Sequence, residues 1–267
     1  MSNTTRLRAT VRRVRSGSVS ATEFLRRNEL RLAGIVGIVG TTVGVLADLA
    51  SGYSLQGAGE VTTAFSVLRL SNLSPFLLSK PPAQVVLGHY LAILGIPLGI
   101  FGLWQVYRAI EPAGWALSRA AWFLGVFAYV AGTVFHSTYA FVTFGLQAAA
   151  SAPPAAAPAM QTMLDRFALA FEPLALLLVG VLAVALALIF VAIASGETRY
   201  PRWFAVANPL VIQAATGLLA LFAPLEVGVF LVVTAFNFSL LVFYAASTAV
   251  LWNVRLPSAT STRNDAA

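Results

Sequence analysis

The chain has 267 residues, of which 58% are hydrophobic and only 10% charged, and its mean hydropathy is +0.81. Soluble domains carry about a quarter charged residues, so a soluble globular fold is excluded. The absence of cysteine removes disulfides, thiolate metal sites, iron–sulfur clusters, covalently attached c-type haem and cysteine nucleophiles. The net charge of +7 does not point to nucleic acid, because no aromatic or fold signature accompanies the arginines.

Residues 1–31 form a basic arm with eight arginines (Arg6, Arg8, Arg12, Arg13, Arg15, Arg26, Arg27 and Arg31) against Glu23 and Glu29. Ser20 followed by Glu23 reads as a capping box, which predicts a helix from about Ala21 into the first apolar run, 32–50. The arm serves as a topogenic signal or binds anionic lipid headgroups. The stretch "FLRRNELRLAGIVGIVGTTVGVLADLASG" resembles a twin-arginine export signal, but the residues after the arginine pair depart from that pattern. The span is therefore expected to be retained. "EVTTAFSVLRLSNLSPFLL" is too polar to cross a bilayer. Val61, Ala64, Phe65 and Leu68 share one helical face there, which predicts a short helix lying in the interface.

Further apolar runs follow at about 83–107, 119–144, 170–194, 203–223 and 228–252, each near the 20 or so residues that a bilayer core requires. They are continuous rather than alternating, so they are helices and not barrel strands. An Ala/Pro linker occupies 148–159. Pro97, Pro173 and Pro209 fall within or beside spans, where kinks are tolerated. The expected architecture is an all-α polytopic membrane protein, a six-transmembrane-helix bundle with a short interfacial helix between the first two spans. A basic arm (1–31) precedes the bundle (32–254) and a short tail (255–267) follows it. With both termini cytoplasmic, fourteen lysines and arginines lie inside and Arg69, Lys80 and Arg166 outside. That bias predicts a plasma (inner) membrane protein of bacterial type with this orientation. The tryptophans 104, 115, 122, 203 and 252 lie near span ends, as an interfacial belt does.

The polar residues are few and fall at one level. At ~1.5 Å per residue, Asp48 lies about 25 Å above Arg31, His136 about 25 Å above Arg119 and His89 about 28 Å above Arg108. Glu172 stands at the outer start of the fourth span. In the first span Gly34, Gly37, Thr41, Gly44 and Asp48 follow a three–four spacing, and small residues at that spacing let helices pack closely in lipid. Gly125, Tyr129, Gly132, Thr133 and His136 share a face in the third span, with Tyr139 beside it. Thr234, Asn237, Tyr244 and Thr248 form a polar seam in the sixth. The candidate site is thus Asp48, His89, His136 and Glu172, supported by Tyr139, Asn237 and Thr133, near the extracytoplasmic end of the bundle. Ionisable groups inside a membrane are costly and usually functional.

Four chemistries suit this set. One is a structural or ligand-binding polar network. Another is a small-molecule transporter whose pathway runs past Asn237, Thr234 and Gln213, with the prolines breaking its helices. A third is a zinc-like divalent metal held by two imidazoles and two carboxylates, activating water for a hydrolase at the outer leaflet, with Tyr139 or Ser137 as donor. In residue type that set resembles the seven-helix membrane hydrolases built on three histidines, an aspartate and a serine. This chain departs from them in its six expected spans and two histidines. The fourth is a single b-type haem with His89 and His136 as axial ligands. The absence of lysine from every span excludes a retinal Schiff base. No glycine-rich phosphate loop occurs.

Overall fold

The structure, a computed structural model, describes residues 24–25, 28–55 and 76–256. Most of the basic arm, the Ser20/Glu23 capping box, the helix expected around 61–68 and the tail beyond 256 lie outside the described residues.

All regular structure among the described residues is helical. Helix α1 spans Glu29–Gly52, α2 Pro82–Gly95, α3 Gly99–Ile110, α4 Trp115–Ala150, α5 Ala157–Ser195, α6 Pro209–Ala220 and α7 Leu225–Val250. A 3-10 turn at Ile96–Leu98 joins α2 to α3, so the two act as one kinked rod, Pro82–Ala113. Pro97 has no backbone N–H to give to an α-helical bond, and the tighter turn absorbs that loss. Five helical segments are long and apolar enough to cross a membrane: α1, the α2–α3 rod, α4, α5 and α7. The chain is a membrane protein.

The bundle has two ends. The proximal end holds the start of α1 and the finish of α7, and the distal end holds the finish of α1 and the start of α7. Helix α1 is the centre of the packing, because its glycines leave two faces bare. On one face a Cβ at Gly37 would run into the Cα of Gly102, and one at Gly40 would lie 2.6 Å from Leu98 Cβ and 2.9 Å from the Gly95 carbonyl oxygen. On the other face Gly44 and Gly52 lie against Asn237 and Val233 of α7. Backbones approach this closely only where side chains are missing, which is how helices associate in lipid. Leu32, Ile35, Val39 and Leu46 of the same helix are exposed, a face suited to acyl chains.

The segment expected as one span at 203–223 is not one helix. A 3-10 helix, Arg202–Ala207, is followed by a break at Asn208 and the 12-residue α6. Asn208 fixes the break by donating from Nδ2 to the Leu186 carbonyl (2.9 Å), while its Oδ1 caps α6 at the Leu210 N–H (3.0 Å). Helix α6 is only about 18 Å long. Together with the 3-10 helix it carries the chain from the proximal end, where α5 stops, to the distal end, where α7 starts.

Each end is tied by polar contacts. At the proximal end Arg108 pairs with Glu29 (3.4 Å) and Glu111 (3.1 Å), Trp104 Nε1 donates to Glu29 (2.9 Å), and Arg31 donates to the Trp252 carbonyl. At the distal end Lys80 Nζ donates to the carbonyls of Leu49 (3.3 Å) and Tyr53, the last turn of α1, where a cation complements the helix dipole. Burial pushes that ammonium below its ordinary value.

Candidate functional site

Asp48 is carried onto the packed face of α1 by the glycine spacing and is 7% exposed. One turn earlier, the missing side chain of Gly44 makes room for Asn237 of α7, whose Oδ1 would sit 2.6 Å from any Cβ there. Asn237 Nδ2 reaches across and donates to Asp48 Oδ2 at 2.8 Å. From α4, His136 brings Nε2 to 3.8 Å from Asp48 Oδ1, close enough for charge to be felt but longer than a hydrogen bond. Tyr139 lies one helical turn on, with its ring centroid 6.2 Å from that of His136. These four residues line a cavity of about 130 Å³. Its remaining wall is largely aliphatic and aromatic, including Ile96 of the kink, Leu178 and Leu182 of α5, and Phe236 and Leu240 of α7. Ser51 and Tyr129 also reach it.

The structure divides the set expected from the sequence. Asp48, His136, Tyr139 and Asn237 meet at the cavity. His89 and Glu172 do not line it. The His89 ring stands edge-on to Phe141 (5.9 Å between centroids) and to Tyr90, and its Nδ1 is buried without a partner among the described residues. Glu172 follows Phe171, whose ring packs tilted against Phe135 with centroids 4.6 Å apart. Thr133 and Ser137 turn back onto their own helix, bonding the carbonyls of Tyr129 (2.9 Å) and Val134 (2.7 Å). Among the described residues no three of His, Cys, Asp and Glu gather as a metal-ligand group.

Two polar clusters occupy the interior, and they differ in how completely they are bonded. In the proximal cluster the Gln105 side chain is fully buried. Its Nε2 donates to the Leu30 carbonyl (2.9 Å) and Thr248 (3.3 Å), and its Oε1 accepts from Ser247 (2.8 Å). Ser247 in turn accepts from Tyr200 (2.7 Å), and Tyr129 and Tyr244 join hydroxyl to hydroxyl at 2.5 Å. Every group there has a partner. In the distal cluster the His136 imidazole, the Tyr139 hydroxyl and Asp48 Oδ1 make no hydrogen bond among the described residues. His136 and Tyr139 are half-buried and line the cavity with Asp48, so three uncommitted groups facing one cavity form a receptive surface for a hydrogen-bonding molecule.

Sequence reasoning passes over Gln105 and Asn208. A lone glutamine inside "GIFGLWQVYR" is the signal for the first, since a polar amide within a span needs a partner on another helix. The Asn-Pro pair is the signal for the second, as an N-cap before Pro at the first helical position.

The chain belongs to a family of unknown function, DUF6796, which matches residues 25–253 and so takes in all seven helices and the whole site. No curated protein and no solved structure matches it.

Proposed function

We propose that this member of the DUF6796 family is a six-span protein of the plasma (inner) membrane that binds a small molecule at Asp48, His136, Asn237 and Tyr139. In this reading the 3-10 helix at Arg202–Ala207 and α6 together make the fifth crossing, since they link the two ends of the bundle. Both termini lie in the cytoplasm and the distal end faces outward. The clustering of Arg31, Arg108, Arg119, Arg199, Arg202 and Arg255 at the proximal end supports that orientation. The basic arm, on the same side, is suited to anionic headgroups.

The observation that carries the binding reading is the contrast between the two polar clusters. A purely structural network is expected to close on itself, as the one around Gln105 does. The distal cluster instead turns unused donors and acceptors toward a mainly apolar cavity, the usual composition of a small-molecule site. For a carrier, both the Tyr129–Tyr244 pair and the bonded group around Gln105, Ser247 and Tyr200 have to part. Their saturation favours a floor beneath the site. The metal and haem readings call on His89 as a second imidazole, and its packing against Phe141 weighs against both.

Thermal unfolding of the purified protein in maltoside micelles tests the reading, with millimolar butylamine, butanol or phenol as probes. At least one is expected to raise Tm by several degrees in the wild type and not in His136→Ala or Asp48→Asn. Three silent probes, or equal shifts in all three proteins, refute it.

A further inference from the structure

A molecule bound at Asp48 reaches it either along the bundle axis from the distal end or sideways from the lipid. The axial way is stoppered. Phe76 and Leu77 are consecutive and 2% and 0% exposed. Phe76 packs with Val229, Tyr53 and Val233 on the α1/α7 side, and Leu77 with Val142, Leu146 and Phe171 on the α4/α5 side. Two adjacent side chains therefore seat in separate apolar clusters on opposite sides of the distal end. The stopper is pinned by Lys80 on the end of α1 and by Gln147 of α4, whose Nε2 donates to the carbonyls of Leu77 (3.1 Å) and Lys80 (2.8 Å). The hydroxyls of Ser54 and Ser79 also meet at 2.8 Å.

Among the described residues the sideways route has no such closure. Helices α5 and α7 supply facing parts of the cavity wall, Leu178 and Val179 on one, Val233 and Phe236 on the other. Yet α5 packs on α4 and α7 packs on α1 and α6, and the backbones of α5 and α7 stay apart. Helix α6 lines no part of the cavity. The four facing residues are only half-buried, so a slot runs between α5 and α7 toward the acyl chains.

The size of the cavity and its charge narrow the occupant. A cavity of about 150 Å³ holds benzene, so about 130 Å³ admits a compact head group and leaves any chain in the slot. Among the described residues Asp48 has Asn237 and His136 beside it and neither lysine nor arginine. A carboxylate at this depth is complemented best by a cation. Building on the ligand-binding reading, we propose that the site takes a membrane-dissolved single-chain primary amine, which enters between α5 and α7, pairs its ammonium with Asp48 and leaves its chain in the slot.

The test is photolabelling of the full chain in phosphatidylcholine nanodiscs with dodecylamine carrying a mid-chain diazirine. Label is expected on peptides covering 175–182 and 233–240, to be competed by plain dodecylamine, and to fall at least tenfold in Asp48→Asn. Leu178→Trp, which fills the inner end of the slot without removing a polar group, is expected to cut labelling by dodecylamine. Ser54→Cys/Ser79→Cys places the only two cysteines of the chain across the stopper, and its oxidation is expected to leave labelling unchanged. Labelling that oxidation blocks and dithiothreitol restores overturns lateral access while the binding reading stands. Equal labelling by the diazirine of dodecanol overturns the ammonium pairing. Absent labelling with butylamine still active on Tm sinks this inference alone, and silence of both amines sinks the binding reading with it.

Discussion

Two tyrosines ten residues apart on α4 give the sharpest test of the difference between the two polar clusters. Tyr129→Phe deletes a hydroxyl bonded to Tyr244 at 2.5 Å and strands that partner, which is 1% exposed. A buried polar group left without a partner costs about 1–3 kcal/mol, and hydrogen bonds between membrane helices average roughly 0.6 kcal/mol with a ceiling near 1.7. The expected loss is therefore about 1–2 kcal/mol. Tyr139→Phe deletes a hydroxyl that bonds to nothing among the described residues, and replacing an unpaired polar group by an apolar one of the same shape is close to neutral. Its expected change is within about 0.5 kcal/mol, the range of substitutions that break no specific feature. Reversible unfolding in mixed dodecyl sulfate and maltoside micelles, read by circular dichroism, measures both on one scale. Equal losses from the two variants, or a larger loss from Tyr139→Phe, refute the claim that the distal groups are uncommitted.

Other substitutions probe the scaffold that makes the site. Gly44→Ala forces Asn237 away from α1 and is expected to cost about 1–3 kcal/mol, the range for overpacking, and to abolish any probe-induced rise in Tm; a variant that still binds removes Asn237 from the site. Asn208→Ala takes away the cap of α6 and its tie to Leu186, with an expected loss of about 1–2 kcal/mol in the same unfolding assay; an unchanged midpoint shows that the break before α6 needs no anchor. Because the chain lacks cysteine, single cysteines report orientation directly. Arg119→Cys is expected to react with an impermeant maleimide only after cells are lysed and Ser151→Cys in intact cells, and the reverse pattern inverts the proposed topology.

How much of this the sequence carries depends on which coordinate is asked for. Long apolar runs, with no water available to backbone groups, leave little choice but helices, so the all-helical membrane architecture is legible from composition and run length. The glycine series of α1 is legible for the same reason, since only close packing rewards it in lipid. Height along a helix follows from counting residues, and Asp48 and His136 do lie level. Direction around the helix axis is another matter. It depends on packing, and the 3-10 turn at Ile96–Leu98 alters the phase of the α2–α3 rod between Arg108, from which the height of His89 is counted, and His89 itself. His89 ends against Phe141 rather than beside Asp48. Glu172 does not line the cavity, and Phe171, its neighbour, packs against Phe135. The division of 203–223 into a 3-10 helix and a short α-helix rests on one side chain, Asn208, and hydropathy averages over such details.

The most direct measurement of the central claim is an experimental density map of the protein purified in native lipid, inspected at the cavity between α1, α4, α5 and α7. The account predicts non-protein density within hydrogen-bond distance of Asp48, His136 or Tyr139. A map in which those three side chains bond to one another and close the cavity, or in which His136 turns toward the acyl chains, contradicts it.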